Sequence, residues 1–312
     1  MEEQLLRKMI KEICREEGIA CRALCQGWVM RLKKGAVCRF VTGNNFDLNT
    51  EASARIASDK AATYEALRAM KVPAVEHALA LNPATRAAFM PPEGLWRQAE
   101  RFFEEHNHEI VVKPNSGLQG RGCSLCRTMA DVQRAVHALF RDEDAAALSP
   151  FVPSAREYRV FSLNGRPEYA YAKRKPYVTG NGHDTAMKLI EDRFAGIEPK
   201  KLVDFLNFTD RFRVPADGET VELSWKFNLS GGALVETELP AGIRKRVYAL
   251  AVKAARAVNL RFGTVDILDT PEGLKVLEVN SGIGLTKFVG QADGGYGIIK
   301  EIVRKAIQTM FD

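Results

Sequence analysis

The sequence predicts a mixed α/β chain of the α+β kind, on three observations. Helical and strand-like patterns alternate along its whole length. Its hairpins run strand to strand through short loops rich in Gly, Asn or Pro. At 312 residues, with 46% hydrophobic and 27% charged residues, it has enough chain to bury the cores of about two domains. No internal repeat, low-complexity tract or long linker interrupts it.

No apolar run approaches the roughly 18 residues of a membrane span. The opening "MEEQLLRKMIKEICREEG" carries charge throughout, so it reads as an amphipathic surface helix and not as a signal peptide. A cytoplasmic protein without membrane contact is the expectation. The excess of 45 Lys+Arg over 39 Asp+Glu is modest. Its clusters, "RLKK" (31–34), "KRK" (173–175) and "RKR" (244–246), are dispersed and lack the interleaved aromatics of a single-strand platform. Nucleic acid is therefore not expected as a partner, whereas a polyanionic small ligand would suit the same charge.

Six cysteines include the spacings Cys21/Cys25 and Cys123/Cys126. "GCSLCR" reads as a strand, in which residues three apart point to opposite faces, so packed or idle thiols fit better than a metal site. His77, His106, His108, His137 and His183 show no metal spacing and read as surface or packing residues.

The elements follow in order. "GWVMRLKKGAVCRFVTG" contains short strands, and "SDKAATYEALRAMKV" is helical, with Ser58 as N-cap, Pro73 closing it, and Leu67 and Met70 on one side. Lys60, in the first turn, opposes the helix dipole unless an anion lies nearby. Residues 91–108 read as turn then helix, "HEIVVKP" as a strand ended by Pro114, and "TMADVQRAVHALF" as an amphipathic helix capped by Thr128. Between strand and helix, "VVKPNSGLQGRG" spaces its glycines G-x-x-G-x-G and leads into another strand, "CSLC". A dinucleotide fingerprint or P-loop would instead open a helix. Such a loop can fold over a triphosphate as a flap with its backbone N–H groups inward, although an ordinary glycine-rich hairpin reads the same.

"YRVFSL" and "PEYAYAK" flank Asn164-Gly165, a strong hairpin dipeptide, with Glu157, Arg159 and Lys173 beside or within them. "FGTVDILDTPEGLKVLEVN" is a second hairpin. A loop at Pro271, Glu272 and Gly273 places Asp266 opposite Glu278, with Asn280 two residues on along the same face. Facing carboxylates repel unless something cationic sits between them, and Mg²⁺ is the natural occupant. The apolar residues around them predict burial.

The order of "VVKP" with its glycine loop, "PFVPSAREYRVF", "WKFNLSGGA", "VDIL" and "LEVN" resembles the ATP-grasp superfamily of carboxylate:amine ligases, over about residues 56–290. "KRKPYVTGNGHDTAMKLIED" followed by "NLSGGA" is similar to the ATP-grasp part of cyanophycin synthetase. "EYRVFSLNGRPEYAYAK" is similar to the ligases that add glutamate to a ribosomal protein. The resemblance implies two α+β lobes clasping ATP behind a short N-terminal segment, divided at 1–83, 84–150 and 151–312.

It also implies the roles of single residues. Lys60 and Lys113 would contact phosphate, Gly117, Gly120 and Gly122 would cover it, the hinge Pro150, Phe151 and Val152 would read adenine through its backbone, and Glu157 would hold the ribose. Arg159 and Lys173 would face the γ-phosphate or substrate carboxylate, and Asp266, Glu278 and Asn280 would bind Mg²⁺, with Asn228 beside those ligands. Three positions depart from the pattern. Ser149 stands where many relatives have glutamate, Thr264 where arginine is common, and "NSGIG" lacks a proline after the asparagine.

The implied chemistry joins a carboxylate substrate to an amine co-substrate (amino acid, peptide or protein tail) through an acyl phosphate, with release of ADP and phosphate. Homo-oligomers are compatible with it. Two rival readings are an ATP-dependent small-molecule kinase and a non-catalytic nucleotide-binding regulatory or assembly protein; the intact acids and cations speak against the second.

Overall fold

The computed structural model describes residues 2–117 and 120–312. Helix α1 (Glu2–Glu16) leads into an antiparallel meander of β1 (Ala20–Leu24), β2 (Val29–Lys34), β3 (Val37–Thr42) and β4 (Asn45–Phe46), then into helices α2 (Glu51–Ser58) and α3 (Lys60–Ala69). In α1, Leu6, Met9, Ile10 and Ile13 recur at helical spacing and all are buried. The expected cap at Ser58 is displaced by one residue. Asp59 breaks the chain between α2 and α3 in an extended conformation, and its carboxylate accepts from Ala62 N–H at 2.8 Å. Leu67 is buried as expected, but Met70 follows the last turn and is exposed.

A second unit comprises β5 (Ala78–Leu81), α4 (Pro83–Arg86), α5 (Leu95–Glu105), β6 (Ile110–Pro114), β7 (Ser124–Cys126), α6 (Met129–Leu139) and β8 (Ala145–Pro150). Its antiparallel sheet has the order β5-β8-β6-β7, covered by α5 and α6, with a core of its own that includes Phe102, Ile110, Val112, Val136 and Leu148. Thr128 caps α6 in a reciprocal box with Asp131. Because Ala78 pairs with Leu148, we propose that this lobe begins near residue 78 and not at 84. The glycine loop joins β6 to β7, as the sequence predicts; Leu118 and Gln119 at its tip, like Met1, lie outside the described residues.

The remainder supplies β9 (Glu157–Leu163), β10 (Arg166–Arg174), β11 (Tyr177–Thr179), α7 (Ala186–Arg193), α8 (Pro199–Phe208), β12 (Thr220–Glu222), β13 (Leu234–Glu236), α9 (Ala241–Ala257), β14 (Phe262–Thr270), β15 (Gly273–Asn280), α10 (Thr286–Gln291) and α11 (Gly295–Phe311). Its main sheet is antiparallel in the order β13-β10-β9-β14-β15. Asn164 and Gly165, at φ +48° and +72°, make the tight turn expected of that dipeptide.

Alternation along these strands gives the sheet two unlike faces. Tyr158, Val160, Ala172, Val265, Ile267 and Val279 pack on Val247, Ala251 and Ala254 of α9. On the other face, Phe161, Tyr171 and Phe262 join α1, the N-terminal meander, α10 and α11 in one continuous core. The strip of this face between that core and the hinge is charged. Among the described residues no helix is long and apolar enough to cross a membrane.

The β14–β15 hairpin reaches the expected pairing by another route. Thr270 pairs with Gly273, so the loop is two residues, Pro271 and Glu272, and simple continuation would set Asp266 against Leu277. A bulge at Leu277 shifts the register by one and restores Asp266 opposite Glu278 and Thr264 opposite Asn280. The fit here is close: a Cβ on Gly263 would lie 2.1 Å from the Asn280 carbonyl oxygen and 3.0 Å from Leu260. Gly263→Ala is therefore expected to cost about 1–3 kcal/mol through forced strand separation. Urea denaturation measures this, and a midpoint equal to that of the parent would contradict the close approach.

Candidate active site

Four neighbouring strands carry the charged strip. Across the sheet Tyr171, Arg159, Asp266 and Glu278 stand opposite one another in turn. One step along, Lys173 pairs with Glu157. The Arg159 guanidinium forks onto Asp266, with Nε donating to Oδ1 at 2.7 Å and Nη2 to Oδ2 at 2.5 Å. Lys173 Nζ lies between Glu157, which it touches closely, and Asp266 Oδ1 at 3.3 Å. Asn280 Nδ2 stands 3.4 Å from both Asp266 Oδ2 and Glu278 Oε1, leaving its amide oxygen free of those contacts.

Burial sets the electrostatics of this cluster. Asp266, Lys173, Lys113 and Glu157 are all buried. Burial disfavours the Asp266 charge, yet Arg159 and Lys173 outweigh it and hold that carboxyl well below its usual range. Lys173 stays protonated: burial and Arg159 oppose its charge, but Asp266 and Glu157 prevail. The Glu157 carboxyl is pushed up to about 7, chiefly by burial and against the pull of Lys173. The expectation that only a metal could reconcile Asp266 with Glu278 is thus revised, because protein cations already compensate Asp266. Glu278 has no cationic partner among the described residues.

These side chains face a cavity of about 540 Å³ between the lobes, within the usual range for small-molecule sites. Lys60, Lys113, Gly117, Gly120, Pro150, Phe151, Val152, Glu157, Arg159, Lys173, Asn228, Glu278 and Asn280 line it. Asp266 lies beneath its wall. Gly122 departs from expectation: at φ +69°, a Cβ there would meet Leu139 at 2.9 Å and Pro114 at 3.1 Å, so this glycine serves packing against α6.

One end of the cavity is apolar, where Val75, Val152, Phe227, Leu268 and Leu277 cluster below the hinge. In the hinge Pro150 has no N–H, and Phe151 N–H is given to Glu109 O at 2.9 Å. Val152 N–H makes no backbone bond of this kind among the described residues. The flap root is held by lysines. Lys60 Nζ donates to Gly117 O at 2.9 Å and to Asn115 O at 3.4 Å, while Lys226 Nζ donates to Cys123 O at 2.8 Å. The Asp59 cap and these carbonyls therefore accommodate the awkward first-turn cation. Gly120 lies against Asn228, where a Cβ would come within 2.4 Å of Oδ1.

Sequence reasoning missed Trp225 and Lys226, although they directly precede Asn228 in "WKFNLSGGA". Trp225 sits edge-on to Phe151 of the hinge, with ring centroids 6.0 Å apart. It also missed Trp28, Asn44 and Lys287, which line the cavity and are marked by no local motif. All six cysteines are free thiols, with Cys14 and Cys126 buried and Cys25 exposed.

The fold matches that of ATP-grasp ligases. Residues 216–305 match the RimK-like ATP-grasp domain family. Over 154 residues the chain is 28% identical to the glutathione biosynthesis bifunctional protein GshAB of Streptococcus mutans, covering 45% of this chain and 20% of that protein. Over 67 residues it is 43% identical to the tetrahydromethanopterin:alpha-L-glutamate ligase of Methanocaldococcus jannaschii, covering 20% of this chain and 22% of that one. The bifunctional glutathione synthetase from Pasteurella multocida superposes with a TM-score of 0.58 at 16% identity, over 96% of this chain and 44% of that one. A D-alanine–D-alanine ligase from Bacillus anthracis gives 0.56 at 14% identity, over 86% and 73%. The match spans about a fifth of the length of the GshAB relatives. Residues 216–305 of the C-terminal lobe are thus RimK-like, and the proteins that the rest of the chain resembles are ATP-grasp ligases.

Lys113 offers a test of the cavity. Burial pulls its ammonium down from 10.5 to about 8. Between those values the folded protein binds fewer protons than the unfolded chain, so this group's contribution to stability improves as pH rises from 8 towards 10.5. A bound polyphosphate favours the charged form, so nucleotide binding is expected to take up a fraction of a proton at pH 8.5 and to weaken as pH rises further. Calorimetry in two buffers of different ionisation enthalpy reads the uptake, and Lys113→Met should abolish it. Identical heats in both buffers for the parent would refute the assignment.

Proposed function

We propose that the chain is an ATP- and Mg²⁺-dependent ligase that joins a carboxylate to an amine through an acyl phosphate. The observation that carries this reading is the charged strip facing a cavity whose other end is an apolar, hinge-walled slot. Adenine fits the slot beneath Phe151 and Val152. Lys60, Lys113 and Lys226 then surround the phosphates, under a flap whose Gly117 and Gly120 line the cavity.

The donor set suits magnesium at the wall: Glu278 offers carboxylate oxygens and Asn280 an amide oxygen, both hard ligands, with Glu278 unpaired by any protein cation among the described residues, whereas Asp266, whose two oxygens are held by Arg159 beneath the wall, would join them only on being released. When bound, the ion would supply charge neutralisation at the phosphates. Arg159 and Lys173 hold positive charge where the transferring phosphoryl group and the substrate carboxylate meet. An oxygen of the carboxylate attacks the γ-phosphorus as its bond to ADP breaks. The amine nitrogen then attacks the acyl carbon, the bond to phosphate breaks, and the amine's proton leaves to phosphate or solvent. Positioning and charge compensation account for the chemistry, with no covalent enzyme nucleophile. Glu157 is proposed to meet the ribose hydroxyls, and Asn228 to order the flap through Gly120. A small-molecule carboxylate, peptide or protein tail all satisfy this arrangement, so the acceptor is sought by experiment.

Phosphate release with MgATP over paired amino acids and short peptides tests the reaction. Two substitutions separate the acids. Glu278→Gln is expected to fold within about 1 kcal/mol of the parent yet lose turnover by about a hundredfold or more. Asp266→Asn strips the buried Arg159 of its partner and is expected to cost about 3–5 kcal/mol. Equal destabilisation by both, with activity retained in Glu278→Gln, would remove Glu278 from the metal site.

A further inference from the structure

Strand β1 is the edge of the N-terminal sheet. It pairs with β2 from Ala20 to Leu24, and among the described residues no strand lies on its other side. None of its residues lines the cavity, and Ala20, Arg22 and Ala23 are exposed. Open edges are commonly guarded by proline, a bulge or inward-pointing charge, because their unpaired N–H and C=O groups invite another strand. Strand β1 has neither proline nor bulge: its pairing runs in unbroken register from Ala20–Lys33 to Leu24–Val29, and Arg22 is its only charge.

Charge around this edge has one sign. No Asp or Glu occurs between Glu17 and Asp47. On the outer face of the sheet Arg22 stands opposite Arg31, and Lys33 stands opposite the small Ala20, so the three side chains share one side of the edge. Arg31 gives its Nε to Cys38 Sγ at 3.3 Å, a weak acceptor. Helix α1 packs on the inner face, and its charges are sorted. Glu12, Glu16 and Glu17 all pair with Lys300 or Arg304 of α11. Arg7, Lys11 and Arg15, four residues apart along another row, lie on the β1 side. Arg7 Nη1 donates to Gln26 O, just past the strand, at 3.2 Å. The Cys21 thiol is drawn down to about 7, first by a hydrogen bond with Cys14 and then, against burial, by the nearby charge of Lys11. Among the described residues no carboxylate pairs with Lys11, Arg15, Arg22, Arg31 or Lys33. Cations gathered without counter-ions make the edge a local attractor for anions.

We propose that the β1 edge docks an extended acidic segment of a partner polypeptide, which joins the meander as a further strand. Successive side chains of such a strand point to opposite faces, so one set meets Arg22, Arg31 and Lys33 while the other meets Lys11 and Arg15. Cations on both faces therefore accept carboxylates at neighbouring positions, whereas an edge with one apolar face would reject every second one. The same charge deters other occupants. A second copy of this chain, paired edge to edge, would bring two such sets of cations together. Single-stranded nucleic acid needs a succession of aromatic platforms, and on the outer face Phe40 is the one exposed aromatic among the described residues. The segment is held outside the cavity and takes no part in a reaction there, so the proposal is independent of the ligase reading.

The test uses the full chain and the fluorescence anisotropy of a labelled peptide of about eight residues, near the length of a strand, in which Glu-Glu-Val repeats. This peptide is expected to bind at low salt and to weaken as salt is raised, while its Gln-Gln-Val counterpart does not bind. Lys11→Glu and Arg22→Glu, which act on opposite faces, should each weaken binding about tenfold, whereas reversal of the exposed Lys253 on α9 should leave it unchanged. Methylating alternate backbone nitrogens of the peptide should abolish binding in one of the two patterns and spare it in the other, because an edge pairs through every second residue. Where a reversal lowers the melting temperature, Lys11→Ala or Arg22→Ala takes its place with the same expected direction. MgATP at constant ionic strength should not displace the peptide. The proposal is overturned if the acidic peptide does not bind, if neither Lys11 nor Arg22 matters, or if both methylation patterns are tolerated. Displacement by MgATP, or equal affinity for an oligothymidylate of the same charge, would overturn it as well.

Discussion

The fork between Arg159 and Asp266 is the interaction on which the rest of the site depends. Both groups are withdrawn from water, at a desolvation cost of several kcal/mol each, and their attraction offsets that only because two good hydrogen bonds form. Such a pair adds little net stability; its consequence is position. Arg159 and Asp266 are opposite residues on paired strands, so the fork fixes both side chains against the sheet. Lys173 is then held by Asp266 and Glu157 together. Changing one member leaves an uncompensated charge in a buried place, so the group behaves as a unit. The stability that tolerates this strip comes from elsewhere, chiefly the apolar face of the same strands on α9.

A second set of cations is held quite differently. Lys60 and Lys226 reach the site but donate to neutral carbonyl oxygens of the flap root, at 2.9 and 2.8 Å. Phosphate oxygens are charged acceptors, and hydrogen bonds to them are about twice as strong as neutral ones, so a polyphosphate can take these donors over. In the proposed reaction the fixed cations would define where the phosphoryl group is transferred, while the exchangeable ones would connect the flap to its occupant. Asn228 against Gly120 gives that loop a further contact with the large lobe.

What the sequence made legible follows the range of the interactions involved. Asn164-Gly165 specified its turn because two positive φ values are a local requirement. The Thr128 box and the β6 strand were equally local. The Asp266–Glu278 pairing was anticipated from a three-residue loop, yet the structure has a two-residue loop and a compensating bulge at Leu277, two departures that cancel. Ser58 lost the cap to Asp59 because both are good capping residues and only the chain's path decides between them. The partner of Asp266 was not legible at all. Arg159 meets it through pairing of β9 with β14, whose residues lie 107 positions apart in the chain, and no pattern near either residue announces that. Trp28 and Asn44 were missed for the same reason, since only tertiary folding carries the N-terminal meander to the cavity.

The distribution of cores says which part of this clasp can open. The N-terminal meander shares one continuous core with Phe161, Tyr171, Phe262 and Phe288, so the wall bearing Trp28 and Asn44 is joined to the catalytic sheet by buried apolar contact. Asn49 reinforces the joint, accepting from the backbone N–H groups of Arg261 and Phe262 at 2.8 and 3.0 Å and donating to Phe262 O at 2.6 Å. The lobe carrying the flap has a separate core, and the hydrogen bonds that bring its flap root to the rest include those of Lys60 and Lys226 to backbone carbonyls and those of the Lys60 and Ala61 N–H groups, at the start of α3, to Asn115. Separating it breaks polar contacts, whereas separating the N-terminal wall would expose a packed apolar interior. In the proposed ligase, opening for nucleotide entry would therefore fall to the flap-bearing lobe about the hinge at Pro150 to Val152, with the acid strip and the N-terminal wall keeping their spacing.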